Sequence, residues 1–318
     1  MEGLNMKVIS IDTTEVVDVA VDLGNAVIKG AVKDGNVFKC DKLDNKVQTI
    51  RTGNPKEIRF SQGQGELVFG TGKLQNNKLK HEREFLLEQA LIMTNKLIDK
   101  DSIKVNLRVA LPPGEFFNDE YVEKYKSRFP VGVHKFNIEK EPKEVEITNI
   151  DVFMEGYSAF LDIAHNIKTT NNLLIFDIGG GTLDCIEIIY DRRDKSFVPS
   201  NAASVRKGSI DLYACIMNEI NAKGKTVKLE WIESHIDDGS DMINGRYSIQ
   251  EHLNIAKAEF KSMLNEIANK LECTLSEYDI VCVGGGTTIF KMLYEDSNLI
   301  ELDIKDTIYS NTIGMLNQ

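Results

Sequence analysis

Asp22-Leu23-Gly24-Asn25-Ala26 and Asp177-Ile178-Gly179-Gly180-Gly181-Thr182 each put an aspartate at the end of an apolar run with a glycine turn directly behind it. A third glycine turn, Gly284-Gly285-Gly286-Thr287, follows the apolar run ending at Val283. Glycine lets the backbone approach a phosphate closely and aim successive N–H groups at its oxygens, and a helix N-terminus adds favourable partial charge. Gly24-Asn25-Ala26 and Gly179-Gly180-Gly181-Thr182 are therefore suited to grip a polyphosphate from two sides, with Lys29 seven residues after Asp22 to neutralise its charge. Asp22 and Asp177, at the ends of facing strands, suit a hydrated Mg2+, an ion that takes one or two carboxylates and leaves the rest of its shell to phosphate and water. One D-x-G turn alone is an ordinary hairpin signal. Three strand-borne turns in one chain, two of them led by aspartates at equivalent places, point instead to polyphosphate binding.

Two other phosphate-binding patterns are excluded. The G-x-x-x-x-G-K-[ST] loop is absent, because Gly72-Lys73 is followed by Leu74 and Gly70 by Thr71. A dinucleotide fingerprint fails because Gly179-Gly180-Gly181 leads into a strand pattern, not a helix.

The elements that must carry these turns are legible in outline. Val16–Leu23 and 26–32 read as strands, and Asp34-Gly35 as a hairpin turn, so three short antiparallel strands open the chain. A polar, Gly-rich stretch with a short strand at Leu67-Val68-Phe69 follows, then helical spacing over 82–100. Together, about 36–101 reads as a small inserted subdomain. Val105–Leu111 is a strand halted by Pro112-Pro113-Gly114, and a strand near 145–153 leads into a helix expected from Glu155 to about Ile167. The opening pattern then repeats: strand 173–177, aspartate, glycine turn, strand 183–190 and a charged turn at 191–195. This internal duplication is the main architectural signal. Beyond it lie a helix over 209–222, a polar irregular stretch over 223–246, a long amphipathic helix over 249–271, a strand at 279–283, a helix over 289–294 and a last helix over 306–317.

A chain of 318 residues exceeds one average domain. Its five cysteines have no C-x-x-C spacing and read as reduced thiols of a cytoplasmic protein. The start has no signal-peptide pattern, and no apolar run approaches the roughly 18 residues of a membrane span. The C-terminal segment is too short and too weakly basic for an amphipathic membrane anchor. A formal net charge of −11 opposes direct wrapping of nucleic acid, so a DNA partner calls for an adaptor.

On these residues the chain resembles the actin, sugar-kinase and heat-shock-chaperone ATPase superfamily, and within it the bacterial actin-like proteins of the ParM plasmid-segregation type. The run 19–29 is similar to the first phosphate motif, 174–184 to the second and 281–287 to the adenosine motif. The resemblance implies an α/β, actin-like fold of two lobes, duplicated ribonuclease-H-like domains with a nucleotide cleft between them. It implies domain I over 1–166 and domain II over 167–318, the latter with its own insert at about 222–248 and the last helix packing back on domain I. It implies ATP, or GTP, with Mg2+. Phe153-Met154-Glu155-Gly156 is similar to the connecting-helix start that carries the catalytic glutamate in ParM-type proteins, which gives that role to Glu155; Asp184 falls where the family places a polar residue near the attacking water. Lys207-Gly208-Ser209 and Lys257 carry over toward ribose or adenine. As partners the resemblance implies other copies of the chain, head to tail in a filament, and a DNA-bound adaptor, with neither direct nucleic-acid contact nor membrane.

The leading expectation is thus a filament-forming, nucleotide-hydrolysing cytoskeletal protein that moves plasmid DNA. A small-molecule kinase on the same fold is the alternative, and it would require an added substrate pocket with a carboxylate base. A non-polymerising scaffold or switch is the third class. The segment 1–15 precedes the first core strand, either as an extension with its own partner or as a disordered tail.

Overall fold

The computed structural model describes residues 15–63, 65–74, 79–300 and 307–318; the extension at the start of the chain lies almost wholly outside them. Two sheets organise the molecule. The first has ten strands in the order β3-β2-β1-β8-β10-β9-β5-β6-β4-β7. These are β1 Val17–Leu23, β2 Val27–Asp34, β3 Val37–Asp44, β4 Lys46–Gln48, β5 Ile58–Gln62, β6 Gly65–Phe69, β7 Lys73–Leu74, β8 Ser102–Leu111, β9 Gly132–Ile138 and β10 Glu141–Met154. The second has four, in the order β13-β12-β11-β16: β11 Leu173–Ile178, β12 Leu183–Asp191, β13 Ser196–Val205 and β16 Asp279–Val283. A two-stranded ribbon pairs β14 Met242–Ile243 with β15 Tyr247–Ser248.

The duplication read from the sequence is built into the pairing. β1, β2 and β3 are antiparallel neighbours and β1 runs parallel to β8; β11, β12 and β13 are antiparallel neighbours and β11 runs parallel to β16. Both inner strands read as nearly continuous apolar runs because both faces of each sheet are covered. On β11, Leu174, Phe176 and Ile178 join one cluster and Leu173 and Ile175 join another, the alternation expected of period two.

Nine helices appear among the described residues: α1 Leu86–Ile98, α2 Pro113–Phe116, α3 Asp119–Lys126, α4 Tyr157–Ile163, α5 Ser209–Ala222, α6 Leu229–Asp237, α7 Asn254–Leu271, α8 Thr287–Leu293 and α9 Ser310–Leu316. None of them is long and apolar enough to cross a membrane. α1 packs on β1, β2 and β3, while α9 packs on β1, β2, β8 and α4. So β3 and α1, both inside the stretch 36–101, belong to the main sheet and its cover, and the short strands β4 to β7 extend that sheet through β9.

Several local expectations need correction. The helix after β10 begins at Tyr157, because Gly156 turns the chain at φ +74°, and Glu155 therefore stands in the strand-to-helix turn and not in a helix. The stretch 223–246 is not irregular throughout: Leu229, Ile232 and Ile236 recur at helical spacing and form α6, with both isoleucines buried. The long helix starts at Asn254, after a 3-10 turn over 250–252. At the chain's end a 3-10 turn over 307–309 precedes α9, and residue 306 lies outside the described residues. α3, which the sequence did not announce, is capped by Asn118, whose side-chain oxygen accepts from the backbone N–H groups of Glu120 and Tyr121 at 3.0 and 3.3 Å.

Candidate functional site

The equivalent hairpins set the site. Asp22 on β1 pairs with Lys29 on β2, and Asp177 on β11 pairs with Asp184 on β12. In each lobe, therefore, the aspartate and the residue seven positions later are direct cross-strand neighbours, and the strands are joined by the turn Gly24–Ala26 in one lobe and Gly179–Thr182 in the other. The two turns touch. A Cβ on Gly180 would lie 2.6 Å from Cβ of Ala26, and one on Gly181 would lie 2.5 Å from Nδ2 of Asn25. Neither position has room for a side chain.

A cleft of about 690 Å³ opens between the two sheets. Of the sequence-predicted residues, Asp22, Gly24, Asn25, Ala26, Lys29, Glu155, Asp177, Gly179, Gly180, Thr182, Asp184, Ser209 and Gly285 line it. The others stand behind or away from it. Gly181 faces Asn25, as described. Gly284 (φ +88°) passes so close to Asp177 that a Cβ would sit 2.2 Å from Oδ1, and Gly286 backs onto Ile178 and Ser209. Thr287 donates its hydroxyl to the Gly284 carbonyl at 2.8 Å and starts α8. Gly208 packs on the carbonyls of Gly179 and Gly180, and its N–H is held by Asp211 at 2.9 Å. Lys257 is not brought to the cleft: it lies on the surface with Nζ 2.6 Å from Glu295, because its position on α7 faces solvent.

Four carboxylates, those of Asp22, Glu155, Asp177 and Asp184, are buried here beside the buried Lys29, Lys80 and Arg83. Lys29 Nζ lies 3.1 Å from Asp22 Oδ2. Lys80, only 1% exposed, places Nζ 2.8 Å from Asp22 Oδ1 and also donates to Glu155 Oε1. Arg83 donates from Nη1 to the Leu23 carbonyl at 2.5 Å. Burial alone works against ionisation of Asp22, but Lys80 and Lys29 overcome it and hold the carboxyl well below its usual range. Burial pushes the Glu155 carboxyl up, and the charges of Asp22 and Asp177 add to that against the pull of Lys80. Asp177 and Asp184 are likewise raised, first by burial. Asn311 on α9 donates to Asp177 Oδ2 at 2.5 Å and accepts from the Gly156 N–H at 3.0 Å, fastening the second-lobe aspartate to the turn that carries Glu155.

Lys80, Arg83 and Asn311 were missed from the sequence. Lys80 and Arg83 sit in Leu79-Lys80-His81-Glu82-Arg83-Glu84, which looks like a solvated charge run. The usable signal was the imbalance: Asp22, Glu155, Asp177 and Asp184 could not share a cleft with Lys29 as their only cation. Among the described residues no group of three or more histidine, cysteine or carboxylate side chains could hold a metal alone. A divalent ion held by Asp22 and Asp177 would share its shell with phosphate and water, which suits Mg2+.

No protein-family profile matches the chain, and no curated protein matches it. Solved structures do. The archaeal actin homologue Ta0583, in its complex with ADP, is similar with a TM-score of 0.73 at 16% identity, over 95% of this chain and 98% of that one. A ParM from a 15-stranded filament of Clostridium botulinum gives 0.67 at 16% identity, over 95% and 98%. The apo ParM protein of pSK41 gives 0.61 at 17% identity, over 94% and 95%. The chain has the actin-like fold.

Proposed function

We propose that the chain binds ATP or GTP with Mg2+ in this cleft, hydrolyses it, and polymerises head to tail into dynamic filaments that move plasmid DNA through a DNA-bound adaptor. The observation that carries the reading is the convergence of Gly24-Asn25-Ala26, Gly179-Gly180 and Gly285 on one cleft with buried Asp22, Asp177 and Glu155. Fold alone does not fix function. The likeness to an ADP-bound archaeal actin homologue supports the nucleotide, and the likeness to a ParM filament supports the assembly.

In this reading the lobes, about 1–166 and 167–318, close on the nucleotide. The turns at Gly24 and Gly179 direct backbone N–H groups at phosphate oxygens, and Lys29 and Lys80 bring positive charge to the transferring phosphoryl group. Asp22 and Asp177 would hold Mg2+, which when bound supplies charge neutralisation along the polyphosphate. Glu155, fixed by the turn at Gly156, orients water and takes its proton; its raised affinity for protons suits a base. Asp184 flanks that water. Gly208 shapes the second turn from behind, and Gly284, Gly286 and Thr287 shape the nucleoside end of the cleft. Hydrolysis alters closure, and closure alters a heterologous contact that builds an open filament.

Sedimentation with simultaneous phosphate release, in ATP or GTP with Mg2+ against ADP or GDP, tests this. Nucleotide-dependent pelleting above a threshold concentration, followed by disassembly as phosphate appears, is expected. Glu155→Ala should still bind nucleotide while phosphate release slows by roughly 10² or more. Release at the parental rate would remove Glu155 from the mechanism, and hydrolysis without assembly at any concentration would remove the filament.

A further inference from the structure

The insert of the second lobe, about 222–248, supplies α6, and α6 lines the cleft with Leu229, Glu230, Glu233, Ser234 and Asp237. The chain enters the insert from the end of α5 and returns through the 3-10 turn over 250–252 that leads into α7. A buried cluster that the nucleotide site does not use pins these two crossings together. His252, 1% exposed, stands in the returning turn. Its Nδ1 lies 3.2 Å from Lys223 Nζ and 3.7 Å from Glu219 Oε1, and Lys223 Nζ lies 3.6 Å from the same Glu219 oxygen. Ile249 and Leu253, on either side of the turn, are buried in the lobe's core with Ile220, Ile232 and Ile236, so the turn is held in place.

The cluster is incompletely bonded. An ammonium only donates, so Nδ1 accepts from Lys223 and the ring proton sits on Nε2. Nε2 and Glu219 Oε2 are both buried, and neither has a hydrogen-bond partner among the described residues. A buried donor and a buried acceptor left unpaired weigh against this arrangement. A second proton on the ring changes the pairing: Nδ1–H then faces Glu219 as a donor, and the ring charge repels the Lys223 ammonium. The Lys223 side chain is 54% exposed and has solvent to move into, whereas that of Glu219 is 13% exposed and stays. Among the described residues, the other charges near the turn are engaged elsewhere. Glu251 is exposed, Asp241 accepts from the Ser248 hydroxyl and the Gln250 N–H, each at 2.9 Å, and Lys257 and Glu259 on α7 are paired with Glu295 and Lys207.

We propose that His252, Glu219 and Lys223 form a proton-operated clasp at the root of the insert: with a neutral ring Lys223 ties the chain leaving α5 to the returning turn, and on protonation His252 takes Glu219, Lys223 is expelled and the insert loosens. Histidine is the side chain that ordinarily changes charge between pH 5 and 8, so the clasp is closed at the alkaline end of that range and open at the acid end. A loosened insert holds α6 less firmly against the cleft, and a bound nucleotide leaves faster. That consequence rests on the proposed function; the clasp itself does not.

The experiment follows hydrogen exchange of the nucleotide-free full chain by mass spectrometry, corrected for the intrinsic pH dependence of amide exchange, at about pH 8 and about pH 5.5. The parent is compared with His252→Gln and Lys223→Met, and release of a fluorescent diphosphate is timed in parallel. In the parent, amides of the insert should exchange about tenfold faster in acid while those of β11 do not change. His252→Gln cannot take the proton and keeps an acceptor for Lys223, so its insert should be equally protected at both pH values. Lys223→Met should show at the alkaline pH the faster exchange that the parent reaches only in acid. Diphosphate release should follow the same pattern, about three- to tenfold faster wherever the insert is loosened. No loss of protection in the parent, or an equal loss in the parent and His252→Gln, overturns the inference. So does a folded Lys223→Met that exchanges like the parent at the alkaline pH, which decides the matter even where His252→Gln does not fold. A parent that binds no nucleotide fails the proposed function, and the exchange result still decides the clasp.

Discussion

Gly314→Ala tests how closely the C-terminal helix is built into the site. Gly314 lies on α9 where it crosses α4, and a Cβ there would stand 1.7 Å from the Ser158 carbonyl oxygen and 2.5 Å from its carbon. Contacts under 3.0 Å are essentially never seen for a real Cβ, and the obstacle is backbone, which cannot rotate aside as a side chain would. The helices must part by more than an ångström. Alanine improves helix propensity by about 0.8–1 kcal/mol over glycine. Overpacking a close contact costs about 1–3 kcal/mol and occasionally more, and a backbone obstacle belongs at the high end, so destabilisation wins. Net of the propensity gain about 2 kcal/mol remains, and at roughly 2 °C per kcal/mol for a chain longer than 150 residues the melting temperature should fall by about 4 °C. Asn311, one turn earlier on the same helix, bridges Asp177 and the Gly156 N–H, so parting α9 from α4 should weaken triphosphate binding as well. Differential scanning fluorimetry of Gly314→Ala beside Gly285→Ala makes the comparison. The nearest atom to a Cβ on Gly285 is Ile308 Cγ1 at 3.9 Å, so that variant should melt within about 0.5 kcal/mol of the parent. If Gly314→Ala melts with the parent, the α4–α9 crossing is not as described and the reasoning about Asn311 falls with it.

Burial works to raise the Glu57 carboxyl, but it accepts hydrogen bonds from the Thr52 side chain and N–H, the Gly53 N–H and the Thr71 hydroxyl, which together hold it down to about 2. A depressed carboxyl stabilises the fold above its unfolded pKa of 4.5 and loses that contribution as pH falls toward 2; Glu57→Gln should therefore show a shallower loss of stability over that window in urea titrations, and an unchanged slope would refute the assignment. Asp184 is the opposite case, raised above 3.8 by burial first and then by the charge of Glu155, with Oδ1 lacking a hydrogen-bond partner among the described residues. Its ionisation costs stability increasingly as pH rises through the raised pKa, so Asp184→Asn should gain roughly 0.5–2 kcal/mol at neutral pH while losing turnover; melting curves in which parent and variant coincide at pH 8 would count against it.

How much could be read in advance followed from how local the cause was. The two D-x-G hairpins were legible because each is fixed within eight residues by an apolar run, a turn and a return strand, as Asp22↔Lys29 and Asp177↔Asp184 show. α5 was legible for the same reason, with its periodicity running unbroken from Ser209 to Ala222. α6 was lost because Leu229, Ile232 and Ile236 are separated by Glu230, Glu233, Ser234 and His235, a pattern that a window of average polarity hides. Lys80 and Asn311 are non-local: Lys80 meets Glu155 across 75 positions and Asn311 meets Asp177 across 134. Neither partnership leaves a trace in the neighbouring sequence. Glu155 was found by resemblance, and its position in a turn held by Gly156 required the structure.

The duplicated scaffold explains why the site is charged as it is. Both lobes present the same cross-strand pair at the mouth of the same turn, and a strict duplicate would place identical residues there. Instead the first lobe pairs aspartate with lysine, which satisfies both, and the second pairs Asp177 with Asp184, which satisfies neither. A purely structural repeat gains nothing from two adjacent buried carboxylates, since each raises the cost of ionising the other. The asymmetry makes sense where one wall of a cleft must neutralise phosphate and the opposite wall must handle a cation and a water. Lys80 then follows as a consequence: with Glu155 added beside the second-lobe acids, the buried carboxylates need a further positive charge, and the chain supplies it from a segment outside the repeat, anchored by Glu115 and ion-paired at its tip with Asp22 and Glu155.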